Sequence, residues 1–161
     1  KNNASNQTGF QIERSSDGID FTVLAKASKS STTYSDGTVI PGSGYYYRIA
    51  AFNTGGNSRY ATLASAVGTP PAAPSSLTSS AANTSQINLA WHDNSSNEDG
   101  FVLSRSTDNV TFTPVVTTGS NVTSYGDTGL KAGTKYYYRV VSFNSFGSSG
   151  PASAVITTPK R

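Results

Sequence analysis

The residues of this chain that could do chemistry lie together in one polar segment, from His92 to Gly100. His92 is the only histidine, it adjoins Asp93, and Ser95 and Ser96 follow closely. A Ser-His-Asp hydrolase needs its three groups to converge in space, whereas these residues are neighbours on one predicted loop. We therefore predict that the chain is not an enzyme.

The same segment offers hard oxygen ligands for Ca²⁺, namely Asp93, Asn97, Glu98 and Asp99. Their spacing does not match a calcium-binding loop, and a solvated turn capped by short polar side chains explains the same residues. The chain has no Cys, which excludes a thiolate metal site, a cysteine nucleophile and a disulfide scaffold. We expect neither a metal nor a cofactor.

Composition limits the partners. Charged residues make up 13% of the chain, the net charge is +3, and the basic residues are scattered. No basic run could neutralise a series of phosphates, and no apolar run approaches the roughly 20 residues that span a bilayer. We predict no nucleic-acid binding and no membrane insertion. A charge-poor, Thr- and Asn-rich chain is commoner outside cells, so we expect an extracellular or cell-surface location.

The element that positions surface groups is a strand sequence that occurs twice, at Tyr45–Asn53 and at 136–144. Both copies are rich in aromatic and β-branched residues and lack Gly and Pro, which favours a half-buried strand. Side chains alternate between the two faces of a strand, and the face without Arg is the predicted core face. Its members are Tyr45, Tyr47, Ile49 and Ala51 in the first copy, and Tyr136, Tyr138, Val140 and Ser142 in the second.

A constant offset of 91 residues relates the two halves of the chain, from Gly9 to Ala61. A fixed offset over this length predicts the same strands and loops in both copies. The strands predicted in the first copy lie near Phe10–Arg14, Thr22–Ala25, Thr33–Ser35, Tyr45–Phe52 and Leu63–Val67.

The second copy has two further candidate strands, around Ser76–Ser80 and Gln86–Trp91, which the first copy lacks because Lys1 already aligns with His92. We therefore predict a first domain over residues 1–69 without its two N-terminal strands. A Pro-rich linker over 70–74 and a complete domain over 75–161 follow.

The second copy resembles a fibronectin type III domain. The marks are Trp91 on the second strand and Leu130-Lys131-Ala132-Gly133-Thr134-Lys135-Tyr136, which is similar to the family's Leu-x-Pro-Gly-Thr-x-Tyr signature. Val39 to Tyr45 is the corresponding segment of the first copy. The resemblance implies an all-β fold, with two immunoglobulin-like antiparallel β-sandwiches in tandem. It also implies that Tyr45 and Tyr136 are tyrosine-corner residues, whose hydroxyl groups bond back to the upstream chain.

The segment from Trp91 to Phe101 is similar to the bacterial branch of the family, which is common in secreted polysaccharide-degrading enzymes and in surface proteins. There the domains are non-catalytic. The resemblance therefore implies a structural spacer and interaction segment of a secreted or surface bacterial protein. Two alternatives remain open: a repeating subunit of an extracellular fibre or adhesin, and a carbohydrate-binding accessory module.

In the family fold, the two absent strands cover the apolar face of the first domain. Leaving each large apolar side chain of that face in water forfeits about 1.5–3 kcal/mol. We expect upstream polypeptide, or else a neighbouring chain, to supply the strands.

The faces opposite the core carry the candidate binding or assembly residues. Aromatic rings beside Arg can stack on sugars or fill a partner's pocket, but they can also simply cover the sheet. Glu13 could pair with the Arg of the first copy, whereas Ser104 at the same place in the second copy could not. The residues of this stripe are Tyr46, Arg48, Phe52, Tyr137, Arg139 and Phe143.

Overall fold

The structure is a computed structural model that describes residues 5–161. Lys1, which the repeat aligns with His92, lies outside the described residues. Residues 1–68 and 69–161 form two compact units, which we call the first unit and the second unit.

The first unit contains one antiparallel sheet in the order β2-β1-β3-β4, with β5 and β6 also paired to β3. The alternating aromatic and aliphatic side chains of the Tyr45 segment make β3 its longest strand. The strands are β1 (Gly9–Ser15), β2 (Thr22–Ser28), β3 (Gly44–Asn53), β4 (Gly56–Asn57), β5 (Ala61–Thr62) and β6 (Val67–Gly68).

The second unit is a sandwich of two antiparallel sheets. One sheet has the order β10-β9-β12-β13, with β14 paired to β12, and the other has the order β11-β8-β7. The strands are β7 (Ser75–Asn83), β8 (Gln86–His92), β9 (Gly100–Ser106), β10 (Thr113–Gly119), β11 (Ser124–Thr128), β12 (Lys135–Asn144), β13 (Gly147–Ser148) and β14 (Ala152–Thr157).

The core of the second unit lies between its two sheets. The predicted inward residues of β12 are all buried there, and the ring of Trp91 contacts the ring of Phe101 with centroids 5.6 Å apart. Strict alternation of buried and exposed residues along β8 fits a strand with one face in the core. The principal core residues are Leu77, Ile87, Leu89, Trp91, Phe101, Leu103, Leu130, Tyr136, Tyr138 and Val140.

The sheet of the first unit repeats one sheet of the second in detail. Pairing of β1 with β2 skips Leu24, and pairing of β9 with β10 skips Val115, so both sheets carry a β-bulge at the same repeat position. Gly9 and Gly100 begin the equivalent strands, and each approaches a neighbouring backbone so closely that a Cβ atom would not fit. The fixed sequence offset therefore corresponds to a fixed strand register.

The two sheets differ in how their apolar faces are covered. Val140 is 0% exposed, whereas Ile49 at the same repeat position is 40% exposed. Phe10 is half-buried, whereas its counterpart Phe101 is fully buried. Within residues 5–68 no second sheet lies over this face, so the predicted core position of Ile49 is not buried. We call this surface of the first unit the open face; it comprises Phe10, Ile12, Tyr45, Tyr47 and Ile49. Ile12 and Tyr45 are buried even so, Phe10 and Tyr47 are half-buried, and Ile49 is the exposed member.

The strand predicted at Thr33–Ser35 is absent, and the reason lies in the second sheet. The equivalent strand of the second unit, β11, pairs with β8 and with no other strand. Residues 5–68 contain no counterpart of β8, so residues 33–35 have no partner for a ladder of hydrogen bonds.

The strand predicted at Leu63–Val67 is wrong for most of its length, because only Val67 lies in a strand. The short strands of this region are β5, which ends before the predicted range, and β6. In the second unit the corresponding strand, β14, contacts β7 as well as pairing with β12. The described part of the first unit lacks that second contact, and its C-terminal strand is interrupted.

The predicted linker at residues 70–74 belongs to the second unit. Pro71 and Pro74 are buried. Ser142 Oγ donates to the carbonyl of Ala72 at 2.8 Å, and Asn94 Nδ2 donates to the carbonyl of Ala73 at 2.8 Å. The Pro-rich segment is thus anchored to the sandwich and is not a separate spacer.

Because the two apolar faces are covered to different extents, substitutions at equivalent positions should lower the free energy of unfolding by different amounts. Val140→Ala should lower the free energy of unfolding of the second unit by about 2 kcal/mol, because it leaves a cavity in a closed core. Ile49→Ala removes more atoms but should cost the first unit only about 1 kcal/mol or less, because the side chain is already partly in water. Urea unfolding followed by Trp91 fluorescence reports on the second unit, and amide resonances of β3 report on the first. Equal costs at the two positions would contradict the open face.

Candidate functional site

The outward stripe follows β3 and β12, and all six of its residues are half-buried. Alternation along each strand places them on the side opposite the tyrosine-rich inward face. The turn between β1 and β2 lies beside the stripe in the first unit, since a Cβ atom added to Gly18 would be 3.3 Å from the ring of Tyr46. None of the six side chains is fully exposed to solvent. The stripe is therefore a surface on which aromatic rings and guanidinium groups pack against neighbouring residues.

In the first unit the Arg of the stripe is fully engaged in contacts within the unit. Arg48 forms an ion pair with Glu13 at 2.6 Å, and its guanidinium lies 4.2 Å from the ring centroids of both Phe21 and Tyr60. The Tyr60 hydroxyl and the Gln11 amide also donate to Glu13, at 2.6 and 2.7 Å. These hydrogen bonds, that from Tyr60 first, lower the pKa of Glu13 although its burial opposes the change.

In the second unit the equivalent Arg139 has a different environment. Its guanidinium lies 3.9 Å from the centroid of Phe112, and Ser104 occupies the place of Glu13 opposite it in the β9–β12 register. Among residues 5–161 no carboxylate forms an ion pair with Arg139. The Lys135 ammonium lies 5.1 Å from the ring of Tyr137 on the same side of β12. The two stripes therefore share a scaffold but differ in charge.

The tyrosine corners form in both units. The hydroxyl of Tyr45 accepts a hydrogen bond from the amide of Ile40 at 3.2 Å, and that of Tyr136 accepts one from the amide of Lys131 at 3.0 Å. The intervening Gly133 has a φ of 63°, a left-handed conformation that favours glycine. These bonds fix the loops that lead into β3 and β12.

The other predicted structural residues lie around these corners. Leu130 and Trp91 are buried in the core of the second unit. Val39, which replaces the family's Leu in the first unit, is half-buried. Their positions indicate a structural role.

A buried polar cluster at the end of the sheet was missed by the sequence analysis. In the second unit Arg105 Nη1 donates to both carboxylate oxygens of Asp127, at 2.8 and 2.9 Å, and the Tyr138 hydroxyl donates to the same group at 2.7 Å. Burial, together with this hydrogen bond, raises the pKa of Tyr138. The signal available in the sequence was the recurrence of Arg, Asp and Tyr at the 91-residue offset.

The first unit contains the equivalent cluster. Asp36 accepts from Arg14 Nη1 and from the Tyr47 hydroxyl, each at 2.8 Å. Burial alone would raise the pKa of Asp36, but hydrogen bonds from Thr38, Tyr47 and Arg14 lower it overall. Burial and the Asp36 contact raise the pKa of Tyr47 to about 12. These groups satisfy one another, which indicates a structural role.

The segment considered for catalysis does not assemble a triad. The His92 ring is exposed, and its Nδ1 hydrogen-bonds to Asn94 Oδ1 at 2.8 Å. Asp93 Oδ1 instead accepts from the amide of Ser95, as in an Asx turn. Within residues 5–161 no three His, Asp or Glu side chains come together as a metal site. In the same described residues no helix is long and apolar enough to cross a membrane.

Comparison with known proteins identifies the class to which this sandwich belongs. Residues 72–159, more than half of the chain, match the family model of the fibronectin type III domain. The chain belongs to the fibronectin type III family.

Individual relatives agree with this assignment. The chain is 35% identical to a Kelch domain-containing protein of Saccharolobus solfataricus over 89 residues, which cover 55% of this chain and 12% of that protein. It is 26% identical to contactin-5 of Mus musculus over 147 residues, which cover 86% of this chain and 13% of that protein. The match thus spans about an eighth of each of these relatives.

A solved structure shows the same fold. A two-domain fibronectin type III segment of chicken tenascin superimposes with a TM-score of 0.66 at 19% sequence identity. The match covers 96% of this chain and 86% of that one. The all-β fibronectin type III fold is therefore confirmed. Domains of this family are generally non-catalytic and are typical of extracellular or surface proteins.

The turn beside Tyr137 generates a prediction about acid stability. Asp108 Oδ1 accepts from the Ser106 hydroxyl at 2.7 Å and from the amides of Val110 and Thr111 at 2.8 Å each. The Ser106 bond first, and then these amides, lower the pKa of Asp108 from 3.8 to about 2. Asp17 repeats the arrangement in the first unit, also with a pKa of about 2.

Because the unfolded chain binds this proton more readily than the folded chain, acid should favour unfolding. The contribution of Asp108 to the free energy of unfolding should be fully present above about pH 5 and should disappear as the pH falls toward about 2. The urea midpoint of the Trp91 fluorescence transition measures it. Asp108→Asn should flatten that part of the pH profile. Asp17→Asn is the matched control, which should leave the Trp91 profile unchanged; a profile insensitive to Asp108→Asn would contradict the prediction.

Proposed function

We propose that the chain is a non-catalytic structural and interaction segment made of two fibronectin type III domains in tandem. The observation that carries this proposal is the repeated strand pairing: β1, β2 and β3 have the same register and the same bulge as β9, β10 and β12. The repeated tyrosine corner and Arg-Asp-Tyr cluster support it further. The domains would hold other parts of a longer protein at a defined spacing.

The proposed setting is a secreted or surface protein of a bacterium. The low charge content and the usual location of the family support the extracellular setting. The bacterial origin is supported by the segment from Trp91 to Phe101, which is similar to the bacterial branch.

The open face bears on how the first unit is completed. We propose that two strands of upstream polypeptide lie over it in the native protein, as β7 and β8 lie over the equivalent sheet of the second unit. Covering Ile49, Phe10 and Tyr47 would remove their remaining apolar surface from water and so stabilise the unit. The second strand would also pair with residues 33–37, since β8 pairs with β11 in the second unit.

This completion can be tested by fusing a copy of residues 74–91 directly ahead of Lys1. In the repeat, Trp91 precedes the position of Lys1, so the copy needs no linker. We expect the amide of Ile49 to become protected from hydrogen exchange and binding of a hydrophobic dye to fall. The matched control is a fused copy with Leu89→Asp and Trp91→Asp. An unprotected Ile49 in the fused protein would contradict the proposal, and equal protection by the free peptide would favour a neighbouring chain as donor.

A second experiment separates the spacer from the two alternative functions. For a spacer, Tyr137→Ala with Phe143→Ala should leave both sedimentation and polysaccharide pull-down of the full chain unchanged. Loss of multimers would instead support a fibre or adhesin subunit. Loss of polysaccharide pull-down with intact monomers would support a carbohydrate-binding accessory module. Phe52→Ala in the first unit is the matched control.

A further inference from the structure

The outward faces of the two units differ at several repeat positions, and one of these is the residue opposite the Arg of the stripe. Gln11 and Tyr60, which donate to Glu13, are replaced by Val102 and Pro151 in the second unit. Glu13 lies opposite Arg48 in the β1–β3 register, and Ser104 lies opposite Arg139 in the β9–β12 register. Directly opposed residues on one face of a sheet are close enough to interact. In the first unit a carboxylate lies opposite the Arg. In the second unit Ser104 stands at that position, so no carboxylate lies opposite Arg139.

The first unit shows how this scaffold binds a carboxylate. Glu13 Oε2 accepts from Arg48 Nε at 2.7 Å and from Arg48 Nη2, while Oε1 accepts from Tyr60 and Gln11. Two bonds from one guanidinium to one carboxylate give both strength and orientation. An aromatic ring beneath the guanidinium, Phe21, holds it in place.

The second unit retains the guanidinium and its supporting ring. Arg139 lies over Phe112, which occupies the repeat position of Phe21. Its neighbours on the adjacent strands are Ser104 of β9 and Ser153 of β14. Within residues 5–161 neither of these hydroxyl groups has a hydrogen-bond partner. Three unengaged donors are thus grouped on one face.

The surroundings of this group are partly apolar and carry both charges, since the Asp108 carboxylate lies in the turn beside Tyr137. Lys135 lies on the same side of β12 and, like Arg139, forms no ion pair within residues 5–161. Val155, which is 53% exposed, is paired opposite Tyr137. We call the surface formed by Ser104, Lys135, Tyr137, Arg139, Ser153 and Val155 the Arg139 face.

We propose that the Arg139 face is a docking surface for an acidic segment of a partner protein. A Glu or Asp side chain of the partner would accept from the Arg139 guanidinium and from the hydroxyls of Ser104 and Ser153. Lys135 would attract the segment, and Tyr137 with Val155 would contact apolar side chains beside the carboxylate. A protein carboxylate is favoured because the group at this position in the first unit is a Glu on a β-strand. This partner goes beyond the proposed spacer role and does not depend on completion of the first unit.

The proposal can be tested by NMR titration of the full chain with a capped hexaglutamate peptide. We expect saturable shifts at the Arg139 side-chain Nε–H and at the amides of Ser104 and Ser153. Arg139→Gln should weaken binding about tenfold or more, as loss of a charge-assisted contact does. Arg48→Gln is the matched control and should have no effect, because Glu13 already occupies that guanidinium.

Two further substitutions should reverse which unit has an Arg available to bind the peptide. Ser104→Glu should supply the carboxylate within the chain and abolish peptide binding, even though the fold is retained. Glu13→Ser should release Arg48 and create a second set of peptide-dependent shifts in the first unit.

Three results would overturn the proposal. The first is an unshifted Arg139 at saturating peptide, and the second is an equal loss of binding in Arg48→Gln and Arg139→Gln. The third is an equal response to sodium sulfate or to a uronate oligosaccharide at matched ionic strength, since this would indicate a general anion or polysaccharide surface.

Discussion

An antiparallel sheet that is apolar on one face is stabilised by cover on that face, and within residues 5–161 of this chain the strand that pairs only with the covering sheet is formed only in the unit that has the cover. In the second unit β7 and β8 supply the cover, and Val140 is fully buried. In the first unit β1, β2 and β3 have the register and the bulge of β9, β10 and β12 although Ile49 is exposed. Pairing within a sheet is therefore independent of its cover here, whereas a strand such as β11, which pairs only with a covering strand, is not.

Charge-assisted contacts hold residues 33–37 beside the sheet of the first unit, although these residues pair with no strand. Arg14, Asp36 and Tyr47 contact one another as do Arg105, Asp127 and Tyr138, although residues 33–37 form no strand. Because Asp36 is held by side chains from β1 and β3, the segment remains beside the sheet without a ladder of its own. Its backbone is thus already placed where a covering strand could pair with it.

Patterns in the sequence predicted the features that are determined within a single strand or by the 91-residue repeat. Alternation identified the inward residues of β12, and the signature before Tyr136 located its corner contact through resemblance to the family. Structure that depends on partners distant in the chain was not predicted from the sequence. The strand at Thr33–Ser35 needs a counterpart of β8, and residues 70–74 are anchored by Ser142 and Asn94, far along the chain. The Arg-Asp-Tyr clusters likewise join residues from three separate segments.

The unequal cover also explains why the two outward faces could diverge. The contacts of Glu13 with Arg48, Tyr60 and Gln11 join strands of a unit whose other face is exposed, so they contribute to a small total stability. The second unit has a closed core, and within residues 5–161 it forms no ion pair at the corresponding cross-strand position. Ser104 is therefore tolerated opposite Arg139, and the guanidinium is left for contacts outside the unit. The same strand pairing thus occurs in both units, and the unit with the closed core is the one in which Ser104 stands where the other unit has Glu13.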